Sequence, residues 1–285
     1  MDAKPLYMGA ELDARTALAL LEWQAEMGAD EAMLDAPLDR FDMPQREAHV
    51  PDPPPSAESL AAATAPKPAA PPLSLEPEVA DQSLLLAKAE RLAQAAGTLA
   101  DLAAAQEAFD GIELKKGARN FCFADGNPHA RVLILGEAPG DEEDREGRPF
   151  VGRAGQLLDK MFAAIGLARD SVDAECALYI TNVLTWRPTG NRDPSPDEIA
   201  LSLPFVRRHI ALAQPEIVVL TGNIACQAAL GRRGILRLRG QWTEAFGHPA
   251  LPMTHPAYLL RTPMAKREAW ADLLSLAARL DQPQG

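Results

Sequence analysis

Polar side chains that could do chemistry follow four short apolar segments of this 285-residue chain. The first segment, VLIL at residues 132–135, leads into a loop rich in glycine and carboxylates that also carries a phenylalanine. A buried strand that ends in such a loop before a helix is suited to hold a polar group against backbone amides. The other three segments are followed by Asn182, Asn223 and His255. The pattern predicts a binding or catalytic site where the four ends meet.

The segments that must position these residues have the pattern of parallel strands that alternate with helices. In parallel α/β sheets, ligands bind beyond the carboxyl ends of the strands, which is where the polar residues fall. We therefore predict an α/β fold, a three-layer α/β/α sandwich with a four-stranded parallel central sheet, preceded by a disordered N-terminal region. The four predicted strands are residues 132–135, 178–180, 216–220 and 250–253.

The N-terminal third of the chain differs in composition from the rest. Residues 1–35 form an acidic segment, in which apolar residues at helical spacing predict one amphipathic helix over 11–28. Residues 36–82 are predicted to be a Pro/Ala-rich disordered linker, because the nine prolines of 51–77 lie among residues that cannot bury a core. The helix could dock a protein partner through Leu20, Trp23 and Met27, pack on the domain, or fray.

The remaining residues, 83–285, are predicted to form one domain with its core at 109–280. Two further helices, at 84–95 and 99–108, are expected to precede that core.

Three strings of this domain form a recognisable set of motifs. They are GEAPGDEEDREGRPFVGRAG (136–155), YITNVLTWRPTGNRDPSPDEI (179–199) and THPAYLLR (254–261). Together they resemble the uracil-DNA glycosylase superfamily, and most closely its family 4 branch. The resemblance covers roughly residues 109–279 in one continuous order, and three motifs in register make it specific. It implies a DNA-repair enzyme that flips uracil out of DNA and hydrolyses its N-glycosidic bond, leaving an abasic site.

The resemblance implies a role for each main pocket residue. Phe150 would stack on the base, although a loop Phe can also plug a core. Asn182 would accept from N3–H of uracil and donate to O4, although an Asn can also cap the next turn. A neutral His255 would donate to O2 and stabilise the charge on the leaving base.

Residues near the first strand end are expected to complete the pocket. Gly136 and Ala138 would bind substrate, and Glu137 would lie beside the base and the water. In the superfamily's best-known branch, an Asp that positions this water stands where Ala138 does here, and family 4 shares the Ala. Glu143 and Asn191 match positions that the family uses near the histidine, and they are assigned a supporting catalytic role.

A further set of residues is expected to contact the DNA. Leu259 and Tyr258 could wedge the duplex, and Asn223 at a helix start offers backbone amides to a phosphate. No lysine lies at a motif position to form a Schiff base, so strand cleavage is not expected. The predicted DNA-binding residues are Arg187, Arg192, Asn223, Tyr258 and Arg261.

Family 4 enzymes usually hold a 4Fe–4S cluster through four cysteines, and here the chain departs from the pattern. The four ligand positions carry Phe109, Ile112, Trp186 and Ser202. The three cysteines of the chain lie about fifty residues apart, without the close spacing of a cluster. We therefore predict no cofactor and no metal, with apolar packing where the cluster would be.

Charge and composition set the expected surroundings of the protein. The net charge of −12 is uneven, because residues 1–80 carry 5 basic and 15 acidic side chains while residues 201–285 carry 10 and 5. The basic half suits uracil-containing DNA as the partner. The sequence has no membrane span, signal peptide or disulfide framework, so a cytoplasmic, nucleoid-associated monomer is expected.

Two other functions remain open from the sequence. The first is a non-catalytic DNA-binding or DNA polymerase-associated module on the same fold. The second is a nucleotide-binding hydrolase that uses the Gly-Glu-Ala-Pro-Gly turn as a phosphate cradle. The second is disfavoured because the chain lacks a Gly-x-x-x-x-Gly-Lys-[Ser/Thr] string.

Overall fold

The structure is a computed structural model that describes residues 6–7, 10–11 and 76–282 of the chain. The chain divides into two compact units, Met1–Pro71 and Pro72–Gly285. In the first unit, strand β1 (Leu6–Tyr7) pairs antiparallel with β2 (Ala10–Glu11). The helix predicted over residues 11–28 is therefore wrong at Glu11, which lies in a strand. The rest of that predicted helix lies outside the described residues.

Two helices open the second unit. Helix α1 (Glu76–Ala95) begins inside the range predicted as linker, so a disordered linker through residue 82 is wrong at its end. Pro77 stands in the first turn, where proline costs a helix nothing, so its presence does not mark a break. Helix α2 (Leu99–Ala108) has the predicted bounds. Thr98 and Asp101 cap it reciprocally, which fixes its start.

A mixed six-stranded sheet forms the centre of this unit. Its strand order is β3-β5-β4-β6-β8-β7. The inner strands β5, β4, β6 and β8 run parallel and are the four predicted ones. The strands are β3 (Ala124–Gly126), β4 (Val132–Gly136), β5 (Leu178–Asn182), β6 (Ile217–Thr221), β7 (Thr243–Ala245) and β8 (His248–Met253).

The prediction of four strands missed the two antiparallel edges. Strands β3 and β7 are three residues long and pair antiparallel with β5 and β8. Such short edge strands carry no apolar run. The tight turn between β7 and β8 contains Phe246 and Gly247, both with positive φ. An alternating pattern cannot be recognised over three residues, so the sequence did not predict them.

Helices cover both faces of the sheet and make three layers. Because side chains alternate along a strand, Leu133 and Leu135 face one helical layer while Val132 and Ile134 face the other. Helices α5, α6 and α7 contribute to the first core, and α4 and α9 contribute to the second. The helices are α3 (Asp141–Glu146), α4 (Arg153–Ala163), α5 (Pro196–Ala213), α6 (Gly222–Leu230), α7 (Ile235–Leu238), α8 (Pro256–Arg261) and α9 (Lys266–Leu280).

A third apolar cluster joins α1 and α2 to the outer side of α5. Phe109 and Phe205 pack there with ring centroids 5.5 Å apart, and both are fully buried. This cluster attaches the first two helices to the sheet domain. Among the described helices, none is both long and apolar enough to cross a membrane.

Candidate active site

The carboxyl ends of the four parallel strands bring the predicted residues to one edge of the sheet. Gly136 at the end of β4 is the register partner of Asn182 at the end of β5. On the other side of β4, Thr221 ends β6 and pairs with Met253 of β8. Each of these four ends leads directly into a loop or helix, and the edge that they form is the candidate site, called the pocket below.

The side chains of Asn182 and Phe150 pack directly against the backbone of Gly136. A Cβ on Gly136 would lie 2.2 Å from Asn182 Oδ1 and 2.4 Å from Phe150 Cε2. Both distances are shorter than any van der Waals contact, so only glycine allows the amide and the ring to approach the backbone here. Gly136, Phe150 and Asn182 therefore form one contiguous surface.

The ring of Phe150 extends this surface to the fourth strand. Its centroid lies 5.4 Å from that of His255, with the two planes inclined by 29°. Phe150 has a φ of +54°, a left-handed conformation that is uncommon for a bulky side chain. Such strain persists where the surroundings impose it, and it often marks a functional site.

Asn182 presents a buried acceptor. Its side chain is 2% exposed, and within the described part of the chain its Oδ1 has no hydrogen-bond partner. An orphaned buried carbonyl costs about 1–3 kcal/mol, so a native protein usually has a reason to keep one. A ligand that brings an N–H to this point would satisfy it.

His255 is held in its neutral form. Its Nδ1 accepts a hydrogen bond from the backbone N–H of Ala257 at 3.2 Å, which leaves the proton of a neutral ring on Nε2. Burial, together with the nearby Arg261, lowers the pKa of His255 to about 4. The ring is therefore an uncharged donor at neutral pH, and its Cβ lies against Gly222 at the start of α6.

Glu137 lies beside the pocket with a perturbed carboxyl group. Burial raises the pKa of Glu137, and Asp193 adds to this while Arg233 opposes it. Its backbone carbonyl accepts from the N–H of Leu184 at 3.0 Å, which joins the loop after β4 to the chain beyond β5. A carboxyl group with a raised pKa in a cleft is a candidate for proton transfer or for orienting water.

Glu143 acts on the loop backbone. Its carboxylate accepts hydrogen bonds from the N–H groups of Val151 at 3.0 Å, Gly152 at 2.8 Å and Gly140 at 3.1 Å. These bonds tie the start of α3 to the segment that follows Phe150. Its observed contacts thus hold the loop.

Asn191 and Arg187 form a polar cluster on the neighbouring loop. Arg187 donates from Nε to Asn191 Oδ1 at 2.9 Å and pairs with Asp141. Asn191 is exposed and has a φ of +54°. The pairing links this loop to the one that carries Glu143.

The predicted DNA contacts differ in availability. Arg261 is exposed and Tyr258 is half-buried. Arg192, in contrast, donates hydrogen bonds from both of its terminal nitrogens to the carboxylate of Glu198. Leu259 is 0% exposed and packs against Ala265 and Ala269, so it cannot wedge a duplex as expected. The helical spacing of α8 turns this residue inward.

Two further predicted residues have contacts that the sequence did not indicate. The side chain of Asn223 accepts from the N–H groups of Gly234 and Ile235, and so caps the start of α7. Ala138 packs at the edge of the third apolar cluster. Neither contact was visible from local sequence, because each partner lies on a different element.

Sequence reasoning missed Gly155 and Arg169, which both contact the backbone of Phe150. A Cβ on Gly155 would lie 1.7 Å from the carbonyl oxygen of Phe150. Arg169 donates to that same oxygen from 19 positions along the chain. A contact over this separation leaves no signal in motif spacing.

Comparison with known proteins decides the family. The family model described as the uracil DNA glycosylase superfamily matches residues 123–274, which is more than half of the chain. The chain belongs to the uracil-DNA glycosylase superfamily. All the strand ends described above lie inside the match.

Relatives within this superfamily give a finer likeness. The chain is 37% identical over 169 residues to a protein named type-4 uracil-DNA glycosylase from Archaeoglobus fulgidus, covering 56% of this chain and 82% of the relative. It is 38% identical over 145 residues to one of the same name from Thermotoga maritima, covering 50% and 72%. It is also 32% identical over 156 residues to a DNA polymerase of Bacillus phage SP01, covering 55% of this chain and 16% of the polymerase.

The positions where this branch of the uracil-DNA glycosylase superfamily would hold an iron–sulfur cluster do not fit one. Phe109, Ile112, Trp186 and Ser202 are all buried, and the first three belong to the third apolar cluster. The ring of Trp186 packs 5.1 Å from that of Phe121. Iron in such clusters needs thiolate or imidazole ligands, which these four residues do not supply. In the part of the chain that the structure describes, no group of three or more His, Cys, Asp or Glu is arranged for a metal.

The three cysteines are all free and lie apart. Cys122 and Cys226 are buried, and Cys176 is exposed. Burial raises the pKa of both buried thiols to about 12, with the carboxylates of Asp144 and Glu143 adding to the effect at Cys122. The two buried thiols are therefore protonated and inert at neutral pH.

Proposed function

We propose that this protein removes uracil from DNA by hydrolysing the N-glycosidic bond. The observation that carries the proposal is the buried Oδ1 of Asn182, which has no partner among the described residues and lies beside the ring of Phe150, itself stacked on the ring of His255. An acceptor at the edge of an aromatic surface matches the N3–H of a flipped uracil. The names of the superfamily relatives support the same reaction.

In the proposed reaction, the C1′–N1 bond breaks and its electron pair leaves with uracil as an anion. The neutral His255 would donate from Nε2 to O2, where the negative charge develops. A water then adds to C1′ and gives up a proton, which neutralises the uracil anion, so that the products are uracil and an abasic sugar. We assign the orientation of that water to Glu137, which directly follows Gly136 and whose half-buried carboxyl group has a raised pKa.

Binding of the base is assigned to three groups. Phe150 stacks on one face of uracil, Asn182 reads the O4 and N3–H edge, and Gly136 with Ala138 lets the base approach the backbone. Cytosine carries a donor at position 4 and an acceptor at N3, so the same amide orientation mismatches it. Glu143 and Asn191 would support the site through the loops that they hold.

DNA is proposed to lie across the exposed side of this edge. Tyr258 and Arg261 lie on α8, the helix that begins directly after His255, and Arg187 lies on the loop after β5. Arg192 would join them by exchanging Glu198 for a phosphate. Asn223 would contribute through its position at the start of α6.

The decisive test is release of uracil from a labelled oligonucleotide, followed by alkaline cleavage of abasic sites. Fragments are expected from single-stranded, U:A and U:G substrates, and a thymine-containing strand of the same sequence should stay intact. A second candidate, a non-catalytic DNA-binding module, is favoured by the likeness to part of a DNA polymerase. Binding of the uracil strand without any fragment would support that candidate and contradict the glycosylase.

A further inference from the structure

The backbone of Phe150 needs support from outside its own loop. Its positive φ is costly for an aromatic residue, and the residue is nevertheless buried and aligned with His255. On one side the carboxylate of Glu143 holds the N–H groups of Val151 and Gly152. The carbonyl groups on the other side of the same turn need a donor.

Arg169 supplies that donor. Its Nη2 donates to the carbonyl oxygen of Phe150 at 2.8 Å, and its Nη1 donates to that of Pro149 at 3.1 Å. The two carbonyls belong to the two peptide groups on either side of the Phe150 Cα, and these groups set the direction of its side chain. Rotation of either peptide group would move the ring away from its position 5.4 Å from His255.

The guanidinium of Arg169 is itself fixed in place. Its Nε donates to Asp159 at 2.8 Å, and its Nη1 also donates to Asp125 at 2.9 Å. The Arg169 side chain is 14% exposed. A planar fork with this many engaged donors has one orientation, which an ammonium group could not reproduce.

We propose that Arg169 is a positioning residue that holds the ring of Phe150 in its stacking position through the carbonyls of Pro149 and Phe150. This inference rests on the proposed function, because stacking on a base gives the position its use. Arg169 links the strand β3, through Asp125, and the helix α4, through Asp159, to the pocket loop. The loop geometry is thereby set by the rigid sheet domain.

Arg131 offers a matched control for the loss of a buried arginine network. It pairs with two carboxylates, Glu216 at 2.7 Å and Glu175 at 3.0 Å, and donates to the carbonyl of Leu280 at 2.9 Å. Its side chain is 21% exposed. Arg131 directly precedes β4, at the amino end of the sheet, whereas the pocket lies at the carboxyl end.

The experiment is a double-mutant cycle in single-turnover uracil release with the full chain. Arg169→Gln is expected to slow the reaction by about 10- to 100-fold, the scale of a misplacement of about 1 Å. In a Phe150→Ala background, the same change should slow it by about twofold or less, because the ring that it positions is gone. Arg131→Gln should lower the melting temperature and leave the rate unchanged. Equal slowing by Arg169→Gln in both backgrounds would overturn the inference.

A second readout needs no substrate. Because the Phe150 ring lies against His255, its ring current shifts the imidazole resonances, and Arg169→Gln should move them in NMR spectra. Arg131→Gln should leave them in place. Unmoved resonances in a folded Arg169→Gln protein would contradict the positioning role. Because this measurement involves no uracil, it stays decisive even if the wild-type protein releases none and the proposed function fails.

Arg169→Lys covers the case in which the Gln variant does not fold. Lysine keeps a positive charge near Asp125 and Asp159 but cannot donate to both carbonyls in the geometry of the fork. The lysine variant should therefore fold, with shifted His255 resonances and little recovery of rate. Full recovery of rate by lysine would show that charge alone suffices and would overturn the assignment to the two carbonyl contacts.

Discussion

The side chains at the strand ends differ in how firmly their neighbours hold them. His255 is oriented by the N–H of Ala257, and Glu143 is engaged by three backbone N–H groups. Asn182 Oδ1, in contrast, has its hydrogen-bonding capacity unused among the described residues. The firmly held groups shape the candidate site, and we propose that the remaining acceptor recognises the ligand.

Replacement of this amide should therefore affect the reaction more than the fold. Asn182→Ala is expected to cost about 2–4 kcal/mol of transition-state stabilisation, the scale of one preorganised polar contact. Folding stability should change little, because the Asn182 side chain has no hydrogen-bond partner among the residues that the structure describes. Single-turnover kinetics measures the first effect and thermal unfolding the second. Asn127→Ala is the control for the rate and should keep the wild-type value, because Asn127 follows β3 and lies next to the amino end of β5, away from the pocket.

The neutral state of His255 predicts the form of the pH–rate profile. Its pKa of about 4 means that the ring takes up a proton only as the pH falls through that value. The rate should thus show no inflection from this residue between about pH 6 and 8, where an ordinary histidine titrates. His255→Gln, which keeps a donor, should slow the reaction without changing the profile in that range. A wild-type inflection near pH 6.5 that this variant removes would contradict the assignment.

At the scale of elements, the loop between β4 and α4 carries most of the pocket, and glycines set its close contacts. Gly136→Ala would place a methyl group in the space of Asn182 Oδ1 and the Phe150 ring. We expect it to abolish measurable uracil release while the sheet still forms. Gly97→Ala, where the added Cβ has only an ordinary contact at 3.6 Å, is the control. A Gly136→Ala protein with near wild-type turnover would show that the pocket lies elsewhere.

The apolar packing among α1, α2 and α5 leads to a prediction about iron–sulfur binding. Because Phe109, Ile112 and Trp186 fill the family's ligand positions, anaerobically purified protein should lack the visible absorbance of an iron–sulfur centre. Chelators should leave its activity and melting temperature unchanged. Stoichiometric iron bound through any of the three cysteines would contradict this expectation.

The elements differ in how far the sequence could predict them. The four inner strands and α2 have apolar runs and a capping pair, which are local signals. The edge strands β3 and β7 and the start of α1 have no such signal. In the site, residues next to a strand end were identifiable, but the burial of Leu259 and the reach of Arg169 depend on packing between distant segments.

At the scale of the whole molecule, two neutral histidines with lowered pKa values couple folding to pH. His209 donates or accepts in a buried hydrogen bond of 2.9 Å with the hydroxyl of Tyr179, and burial lowers its pKa to about 3. In the unfolded chain this ring titrates near 6.5, so below that pH the unfolded state binds a proton that the native state does not. The free energy of unfolding must therefore fall as the pH falls from about 6.5 toward 3. His255 contributes in the same direction down to about pH 4.

His209→Gln should remove one of the two side chains that take up a proton when the protein unfolds. The variant keeps a hydrogen-bonding partner for Tyr179 but does not titrate. Below about pH 6, its unfolding free energy should fall less steeply than that of the wild type, by about 1.4 kcal/mol per pH unit. Urea unfolding at several pH values measures the difference, and His129→Gln is the exposed control. Identical slopes for His209→Gln and wild type would show that His209 is already protonated in the native state.

The arrangement of the cysteines should allow the intact protein to be labelled with a dye at a single position. Cys176 is exposed just before the amino end of β5, while Asn182 ends the same strand at the pocket. At about 3.3 Å per residue in extended chain, the two lie up to about 20 Å apart. With Cys122 and Cys226 buried and protonated, a maleimide dye should attach at Cys176 alone. The native sequence thus allows fluorescence measurements of DNA association without an engineered attachment point and without a dye in the pocket.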